Sequence, residues 1–295
     1  CANTDIPPER VLRRGLKDNF WAMGETGPCG PCSEIFYYLG DDEAVQSAEE
    51  LLADSTLYLE IWNLVFMQFN RDAQGNMTPL PKPSVDTGMG LERVAAIKQG
   101  MLANYDSDLL RAIIAAVEEL SAKRYNGQSY EPSADAQYAA DVALRVAADH
   151  ARACAFLVAD GIMPSSDGRG YVLRRLIRRA CRHGRVLGLK QAFLYKVAAH
   201  VVSLMGEAYP ELKRSKEQIA KIVRAEEEKF LATLETGLGI LEKEARATAE
   251  KSTRIFPGTT AFLLHDTYGF PLDLTEDILQ SYNLTVDHDA FSEAM

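Results

Sequence analysis

The hydrophobic pattern of the chain changes near residue 106, and this change limits the fold more than any other feature of the sequence. Before it, short runs of aromatic and β-branched residues alternate with turn residues, which is typical of strands. After it, apolar residues recur at helical spacing. The sequence therefore predicts an α+β protein. Because residues 125–137 have the composition of a linker, we predict two domains, 1–125 and 126–295.

Two strand candidates and a series of helical patterns carry this prediction. The strand candidates cover residues 34–39 and 57–69, and a turn signal at 72–76 predicts a hairpin that returns through 77–80. The helical patterns cover residues 106–124, 138–160, 170–187, 190–206 and 211–250. We expect the second domain to contain helices only.

The charge of the chain is unevenly distributed. The formal net charge is −10 at pH 7, yet residues 136–200 hold eleven Lys/Arg against four Asp/Glu. An acidic protein with one basic segment can bind RNA there and stay soluble. No apolar run approaches the ~20 residues of a membrane helix. Five cysteines and an N-terminus unlike a secretion signal predict reduced thiols and a cytoplasmic location.

The basic segment contains an arginine-rich helical pattern without intervening acids. Three of its arginines, at 174, 178 and 182, are spaced by four residues and share one helix face. A solvated helix face usually mixes charges of both signs, so the pattern favours phosphate binding. The seven arginines are Arg169, Arg174, Arg175, Arg178, Arg179, Arg182 and Arg185.

The segment most informative about chemistry is Ser84–Arg93, with the sequence SVDTGMGLER. Gly88 and Gly90 clear one face of a strand, so that a flat ligand can approach the backbone. An arginine that opens the following helix can bind phosphate oxygens through its forked guanidinium. On spacing alone, a glycine-rich turn with a surface Glu92–Arg93 pair is the better interpretation.

The complete string resembles motif 3 of the class II aminoacyl-tRNA synthetases. The general motif has a glycine at the position of Asp86. With aspartate there, residues 85–93 resemble the version of the motif found in the alanyl-tRNA synthetases, residue for residue. Further strings are similar to the same family in the same order, so the resemblance covers nearly the whole chain. They lie at residues 19–32, 60–69, 159–161, 169–175 and 266–271.

The resemblance implies roles for individual residues of the first part. Arg93 is the expected catalytic residue and binds the ATP γ-phosphate, while Gly88 and Gly90 border the adenine. Asp86 is expected to hold the ammonium group of alanine, because a carboxylate forms a charge-assisted bond with it. Taken alone, Asp86 would be a turn residue. The other expected alanine-binding residues are Trp21, Asn63 and Val65. Taken alone, Trp21 and Val65 would be typical core residues.

The implied reaction is the activation of alanine by ATP, followed by transfer to tRNA(Ala), with Mg²⁺ accompanying the ATP. The implied fold is the later part of a class II antiparallel-sheet catalytic core, followed by an all-helical tRNA-recognition domain. Cys29 and Cys32 resemble half of a zinc site, but a second ligand pair at suitable spacing is missing, so no protein-bound zinc is expected.

The resemblance also implies that the helical part binds the acceptor stem. Asp266 matches the aspartate that reads the G·U pair of that stem. The asparagine that assists it in some relatives has no counterpart, because Gly168 stands at that place. The expected tRNA-binding residues are Arg169, Arg174, Arg175, Arg178, Arg179, Arg182 and Asp266.

Motifs 1 and 2 of class II enzymes and the editing-domain metal segment are not found in the sequence. The chain is therefore expected to be an internal fragment that makes no alanyl-adenylate in isolation. Two alternatives remain open. One is a tRNA-binding remnant without catalysis. The other is a different class II ligase, which Asp86 and the segment at 266–271 disfavour.

Overall fold

The computed structural model of the chain describes residues 6–40, 46–53, 55–127, 133, 135–250 and 253–295. It forms two compact units, Cys1–Ser107 and Asp108–Met295. The α+β prediction is confirmed, since the first unit carries an antiparallel sheet and the second is mainly helical. Part of the predicted linker, at 128–132 and 134, lies outside the described residues.

The first unit is built on a four-stranded antiparallel sheet in the order β1-β2-β3-β4. Two short helices and two 3-10 turns complete this unit in the described residues. The strands are β1 Phe20–Ala22, β2 Gly27–Tyr38, β3 Tyr58–Arg71 and β4 Met77–Met89. The helices are α1 Ala48–Leu52 and α2 Leu91–Lys98, and the turns are Pro8–Arg10 and Asn104–Asp106.

The hairpin predicted between β3 and β4 is confirmed. Its turn is held by Asp72, whose carboxylate accepts hydrogen bonds from the backbone N–H of Gln74 at 2.9 Å and of Asn76 at 2.8 Å. Bonds from the Asn76 side chain and backbone hold the pKa of Asp72 below its usual value. Gly75 supplies the left-handed conformation that the turn requires, with φ of +83°.

The returning strand β4 is longer than the sequence predicts. It runs for 13 residues through Pro79, Pro81 and Pro83. A central strand would lose ladder hydrogen bonds at each proline, but an edge strand tolerates them. Among the described strands β4 pairs with β3 alone, so the prolines fit, and the strand continues to Met89.

The second unit consists of nine helices in the described residues and one small parallel pair of strands. The helical patterns predicted from the sequence are confirmed. The expectation of helices only is wrong, because two short strands are also present. Strands of two residues are too short to show a period in the sequence. The helices are α3 Asp108–Ser121, α4 Ala136–Ala159, α5 Gly168–Val186, α6 Leu194–Met205, α7 Pro210–Arg214, α8 Lys216–Ala249, α9 Gly258–Asp266, α10 Leu272–Gln280 and α11 His288–Ala294. The strands are β5 Ile255–Phe256 and β6 Thr285–Val286.

Helix α3 lies in the second unit, although the sequence placed it in a first domain ending at residue 125. Its apolar stripe explains the difference. Ile113, Ile114 and Val117 are fully buried, and α3 packs against α4 and α6. A boundary drawn from linker composition alone cannot detect this packing, because the linker-like residues lie after α3.

The core of the second unit lies where α4 meets α5, α6 and α8. Small residues on α4, including Ala143, Ala147 and Ala151, are completely buried and allow the helices to approach closely. The start of α6 is fixed from outside by Glu227 of α8. This buried carboxylate accepts backbone N–H bonds of 2.8 to 3.0 Å from residues 193–195. No helix in the described part of the chain is long and apolar enough to span a membrane.

Candidate functional site

The sheet register brings four of the expected site residues into direct opposition. Asn63 on β3 lies opposite Gly88 on β4, and Val65 lies opposite Asp86. Directly opposed residues of an antiparallel pair project from the same face of the sheet. Asn63 and Val65 also share a face with each other, because they are two residues apart on one strand. The two strands therefore present a small apolar residue, an amide and a carboxylate side by side.

Trp21 reaches the same end of the sheet through β2. It lies opposite Gly30, which is two residues from Cys32, and Cys32 lies opposite Val65. Trp21 is half-buried, whereas Cys32 and Val65 are buried. Gly30 stands at a shift in the register of β2 against β3, where an added Cβ would overlap the carbonyl oxygen of Phe66.

Asp86 is exposed, while Val65 opposite it is only 6% exposed. The Asp86 carboxylate accepts a hydrogen bond from the backbone N–H of Thr87 at 2.9 Å. A carboxylate next to an apolar wall and open to solvent can bind a small organic cation that carries an apolar group. The arrangement fits an amino acid with a short side chain.

Arg93 lies in the first turn of α2, directly after the two glycines. Its Nη1 donates a hydrogen bond to the carbonyl oxygen of Glu60 at 2.5 Å and lies 3.9 Å from the Glu60 carboxylate. The side chain remains 41% exposed. A Cβ on Gly90 would lie 3.0 Å from Cδ of Arg93, so Gly90 gives the arginine room. Gly88 has open space where its Cβ would be, as expected for a surface that a flat ligand can cover.

Two glutamates that no sequence pattern indicates, Glu34 and Glu60, lie beside this group. Nδ2 of Asn63 donates a hydrogen bond to Oε1 of Glu34 at 3.3 Å, and Oδ1 of Asn63 is buried without a hydrogen-bond partner in the described residues. Burial and the nearby charge of Glu60 raise the pKa of Glu34. Both glutamates stand in or next to strings that resemble the family, but side-chain proximity across strands is not visible in either string.

In the described part of the chain, no group of three or more His, Cys, Asp or Glu residues is arranged to hold a metal ion. Cys29 and Cys32 are buried free thiols, and burial raises the pKa of Cys32.

In the helical unit, the arginine-rich pattern forms α5, but most of its charges are paired. Arg179 lies 2.6 Å from Asp277 and 3.6 Å from Asp273, both on α10. Arg175 also pairs with Asp273, and Arg185 pairs with Glu235 of α8. The acids absent from the α5 sequence are thus supplied by other helices, which corrects the interpretation of a uniformly basic face.

Arg178 is the clearest departure from the expected tRNA-binding set. Its side chain is 4% exposed, with Nε 2.7 Å from Oε1 of Glu226 and Nη1 2.5 Å from the carbonyl oxygen of Gly269. The neighbouring Arg174 lies 3.4 Å from the same carboxylate and is 25% exposed. A guanidinium buried in this way does not offer its donors to an external phosphate.

Two arginines of α5 differ from this pattern. Arg169 is exposed at the start of the helix, and Arg182 faces a cavity between α4, α5 and α10. No carboxylate of the described chain lies within 4.0 Å of either guanidinium. Burial lowers the pKa of Arg182, which the nearby Asp277 partly offsets. The other residues lining the cavity are Val142, Val146, Arg179, His183, Leu274, Asp277 and Gln280.

Asp266 is exposed at the end of α9, and the residues after it are firmly held. Oγ1 of Thr233 donates a hydrogen bond to the carbonyl oxygen of Tyr268 at 2.9 Å, and Phe270 is completely buried. The structure therefore places an accessible carboxylate on an anchored segment.

Comparisons with known proteins agree along the whole chain. A family model described as tRNA synthetases class II (A) matches residues 2–295. The chain is 50% identical over 293 residues to the alanine–tRNA ligase of Pseudoalteromonas translucida and 50% identical over 298 residues to that of Paraburkholderia phymatum. It is 51% identical over 290 residues to that of Hydrogenovibrio crunogenus. Each alignment covers 98% of this chain and 32% of the relative, so the chain spans about a third of the length of these relatives.

Proposed function

Because the chain belongs to the class II (A) tRNA synthetases, we propose that it is the part of an alanine–tRNA ligase that binds alanine and ATP on its sheet. Its helical unit is proposed to bind the acceptor stem of tRNA(Ala). The observation that carries the proposal is the register that sets Asp86 opposite Val65 and Gly88 opposite Asn63. This register collects candidate residues that lie far apart in the sequence.

The proposed alanine site combines charge with a small apolar wall. The Asp86 carboxylate would bind the ammonium group, and Val65 and Trp21 would enclose the methyl group. The unpartnered Oδ1 of Asn63 supports this assignment, because a buried acceptor without a donor is costly and an ammonium group would supply one. These residues bind and orient the amino acid, so their contribution to rate is mainly positional.

The proposed ATP site uses Arg93 for phosphate oxygens and the open surface at Gly88 for the adenine. Mg²⁺ would supply charge neutralisation for the phosphates. Glu60, which contacts Arg93, and Glu34, whose charge interacts with that of Glu60, are oxygen donors of the kind Mg²⁺ prefers. In the proposed reaction the alanine carboxylate attacks the α-phosphorus, and pyrophosphate leaves to give alanyl-adenylate. A terminal hydroxyl of the tRNA then attacks the carbonyl carbon of the adenylate, and AMP leaves.

Substitutions at Asp86 and Arg93 should separate the two substrates in the full-length ligase. Asp86→Ala is expected to raise the KM for alanine about 10- to 150-fold, since a hydrogen bond to a charged group contributes ~1.5–3 kcal/mol. The KM for ATP should change little. Arg93→Ala should instead raise the KM for ATP and change the KM for alanine little, because the proposed contact of Arg93 is phosphate. Alanine-dependent ATP–pyrophosphate exchange measures both constants.

Asp86→Asn is the matched control, because it keeps the shape of the side chain and removes its charge. It should behave like Asp86→Ala if the ammonium contact is ionic. Equal increases in the KM for alanine and the KM for ATP in the Asp86 variants would contradict the proposed site.

A second candidate function is tRNA binding without catalysis by this chain. The exposed Arg169 and the cavity-facing Arg182 favour it, because both offer guanidinium groups that no carboxylate of the described chain neutralises at close range. Alanine-dependent pyrophosphate exchange by the full-length protein separates the two functions: a ligase gives exchange that Asp86→Ala weakens, whereas a non-catalytic tRNA-binding protein gives none.

The salt dependence of tRNA binding should identify which arginines of α5 bind phosphate. The double variant Arg169→Ala/Arg182→Ala is expected to reduce the log–log salt slope by roughly 0.7–0.9 for each phosphate that the protein no longer neutralises. Arg175→Ala is the matched control on the same helix, because Asp273 already pairs with that charge. Filter binding of the 295-residue chain to tRNA(Ala) at several salt concentrations measures the slope. A normal slope in the double variant would exclude both residues from the interface.

A further inference from the structure

We infer that Arg178 is a positioning residue, which fixes the turn at residues 268–270 and thereby orients the exposed Asp266, and that it does not itself contact RNA. The inference rests on the proposed function, in which the helical unit binds the acceptor stem, and on the expectation from the family resemblance that Asp266 reads that stem. It assigns Arg178 a different role from that of Arg169 and Arg182.

The contacts of Arg178 are all internal. Nε and Nη2 lie 2.7 and 2.6 Å from Oε1 of Glu226, and Nη1 donates to the carbonyl oxygen of Gly269 at 2.5 Å. The guanidinium also lies over the ring of Phe230, 5.2 Å from its centroid. One planar fork therefore joins α5, α8 and the turn after α9, which a lysine with its single nitrogen cannot reproduce.

The turn itself is shaped to receive this guanidinium. Gly269 has φ of +72°, a left-handed conformation that favours glycine. A Cβ at this position would also overlap Nη1 of Arg178. Backbone conformation and the close approach of Arg178 are thus two separate requirements that select glycine here.

Helix α8 holds the residues on either side of Gly269. Thr233 donates a hydrogen bond to the carbonyl oxygen of Tyr268, and Phe270 packs edge-on against Phe230 with ring centroids 5.5 Å apart. Gly237 has no Cβ, which would otherwise overlap the Phe270 ring. Three consecutive residues of the turn are therefore held by side chains from α5 and α8.

Asp266 stands immediately before this turn. It and Thr267 are exposed, whereas the turn behind them is anchored. A side chain that reads one base pair must be held to within a fraction of an ångström of its productive position. Because α9 ends at Asp266, the direction in which the chain leaves the helix is set by the turn. Removal of the Arg178 hydrogen bonds is expected to let Asp266 move while its carboxylate stays present.

The test uses Arg178→Lys and Arg178→Gln in the full-length ligase. Aminoacylation of tRNA(Ala) should fall roughly tenfold or more in kcat/KM, the scale of one charge-assisted hydrogen bond. The preference for a G·U pair over a Watson–Crick pair in the acceptor stem should fall in parallel. Alanine-dependent pyrophosphate exchange without tRNA should stay unchanged. The salt slope of tRNA binding should keep its original value, because Arg178 neutralises no phosphate.

Thr233→Ala keeps the inference testable if the Arg178 variants fold poorly. It removes only the hydroxyl bonded to Tyr268 and should reduce the base-pair preference in the same direction. Arg175→Ala, on the same helix, should leave the preference unchanged. A reduced salt slope in the Arg178 variants, or an unchanged preference in folded Arg178 and Thr233 variants, would overturn the positioning role.

The variant Asp266→Ala distinguishes failure of this inference from failure of the proposed function. If Asp266→Ala leaves the base-pair preference intact, the proposed reading of the stem fails, and the positioning role fails with it. If Asp266→Ala abolishes the preference while Arg178 and Thr233 variants keep it, only the positioning role is overturned.

Discussion

Lowering the pH from about 7 to about 4 is expected to cost the helical unit about 3 kcal/mol of unfolding free energy through His183 alone. His183 lies on α5 and is 8% exposed, and its Nδ1 has no hydrogen-bond partner in the described residues. Burial, followed by the charges of Arg182 and Arg179, lowers its pKa to about 3.

The direction of this pH effect follows from the protonation of His183 in the folded and unfolded states. The pKa of histidine in an unfolded chain is about 6.5, so between that value and the folded value the unfolded chain binds the proton and the folded chain does not. Above about pH 6.5 His183 is neutral in both states and does not lower the free energy of unfolding. Below that value the free energy of unfolding decreases progressively as the pH falls. Each pH unit costs about 1.4 kcal/mol in this window.

Urea unfolding followed by far-ultraviolet circular dichroism at several pH values measures this decrease. His183→Gln removes the titrating group and should flatten the pH dependence. His288→Gln is the matched control, because His288 is 61% exposed and pairs with Glu276 at the surface. The same acid destabilisation in wild type and His183→Gln would show that another group is responsible.

Replacing Gly30 with alanine is expected to destabilise the sheet unit by more than about 4 kcal/mol, the range in which single substitutions are exceptional. The added Cβ would overlap the carbonyl oxygen of Phe66 and lie 3.0 Å from the backbone N of Gln68. Because both neighbours are backbone atoms, rotation of a side chain cannot relieve the overlap. The pairing of β2 with β3 must shift instead, and Val65 shifts with it.

Gly88→Ala is the matched control for this substitution. An added Cβ at Gly88 meets no atom within 4 Å, so the stability should change by less than about 1 kcal/mol. Chemical denaturation of both variants compares the two glycines directly. Equal stability of Gly30→Ala and Gly88→Ala would contradict the close approach at Gly30.

Local pattern accounts for much of the fold but little of its charge pairing. The hairpin and the long helices are visible in the sequence because turn residues and apolar spacing are properties of neighbouring residues. The partners of Arg178 and Arg179 lie on α8 and α10, at least 48 residues away in sequence. Such pairing arises only when helices pack, so in the sequence the row of arginines has the pattern of a free basic face.

The candidate site was predictable as a set of residues and not as an arrangement. The motif at 84–93 and the string at 60–69 contain Asp86 and Val65 separately. Their opposition depends on a register that shifts between Met67 and Phe69, which no local pattern encodes. For the same reason the glutamates at 34 and 60 were missed, since they become neighbours only across the folded sheet.

The three prolines of β4 have a consequence for how the sheet meets other molecules. Proline has no backbone N–H, so residues 79–83 keep only the donors of Leu80 and Lys82. Unpaired strand edges are templates on which a second chain can add and aggregate. Residues 79–83 therefore offer few donors to an added strand, while residues 84–89, which contain no proline, keep their backbone N–H groups beside the candidate site.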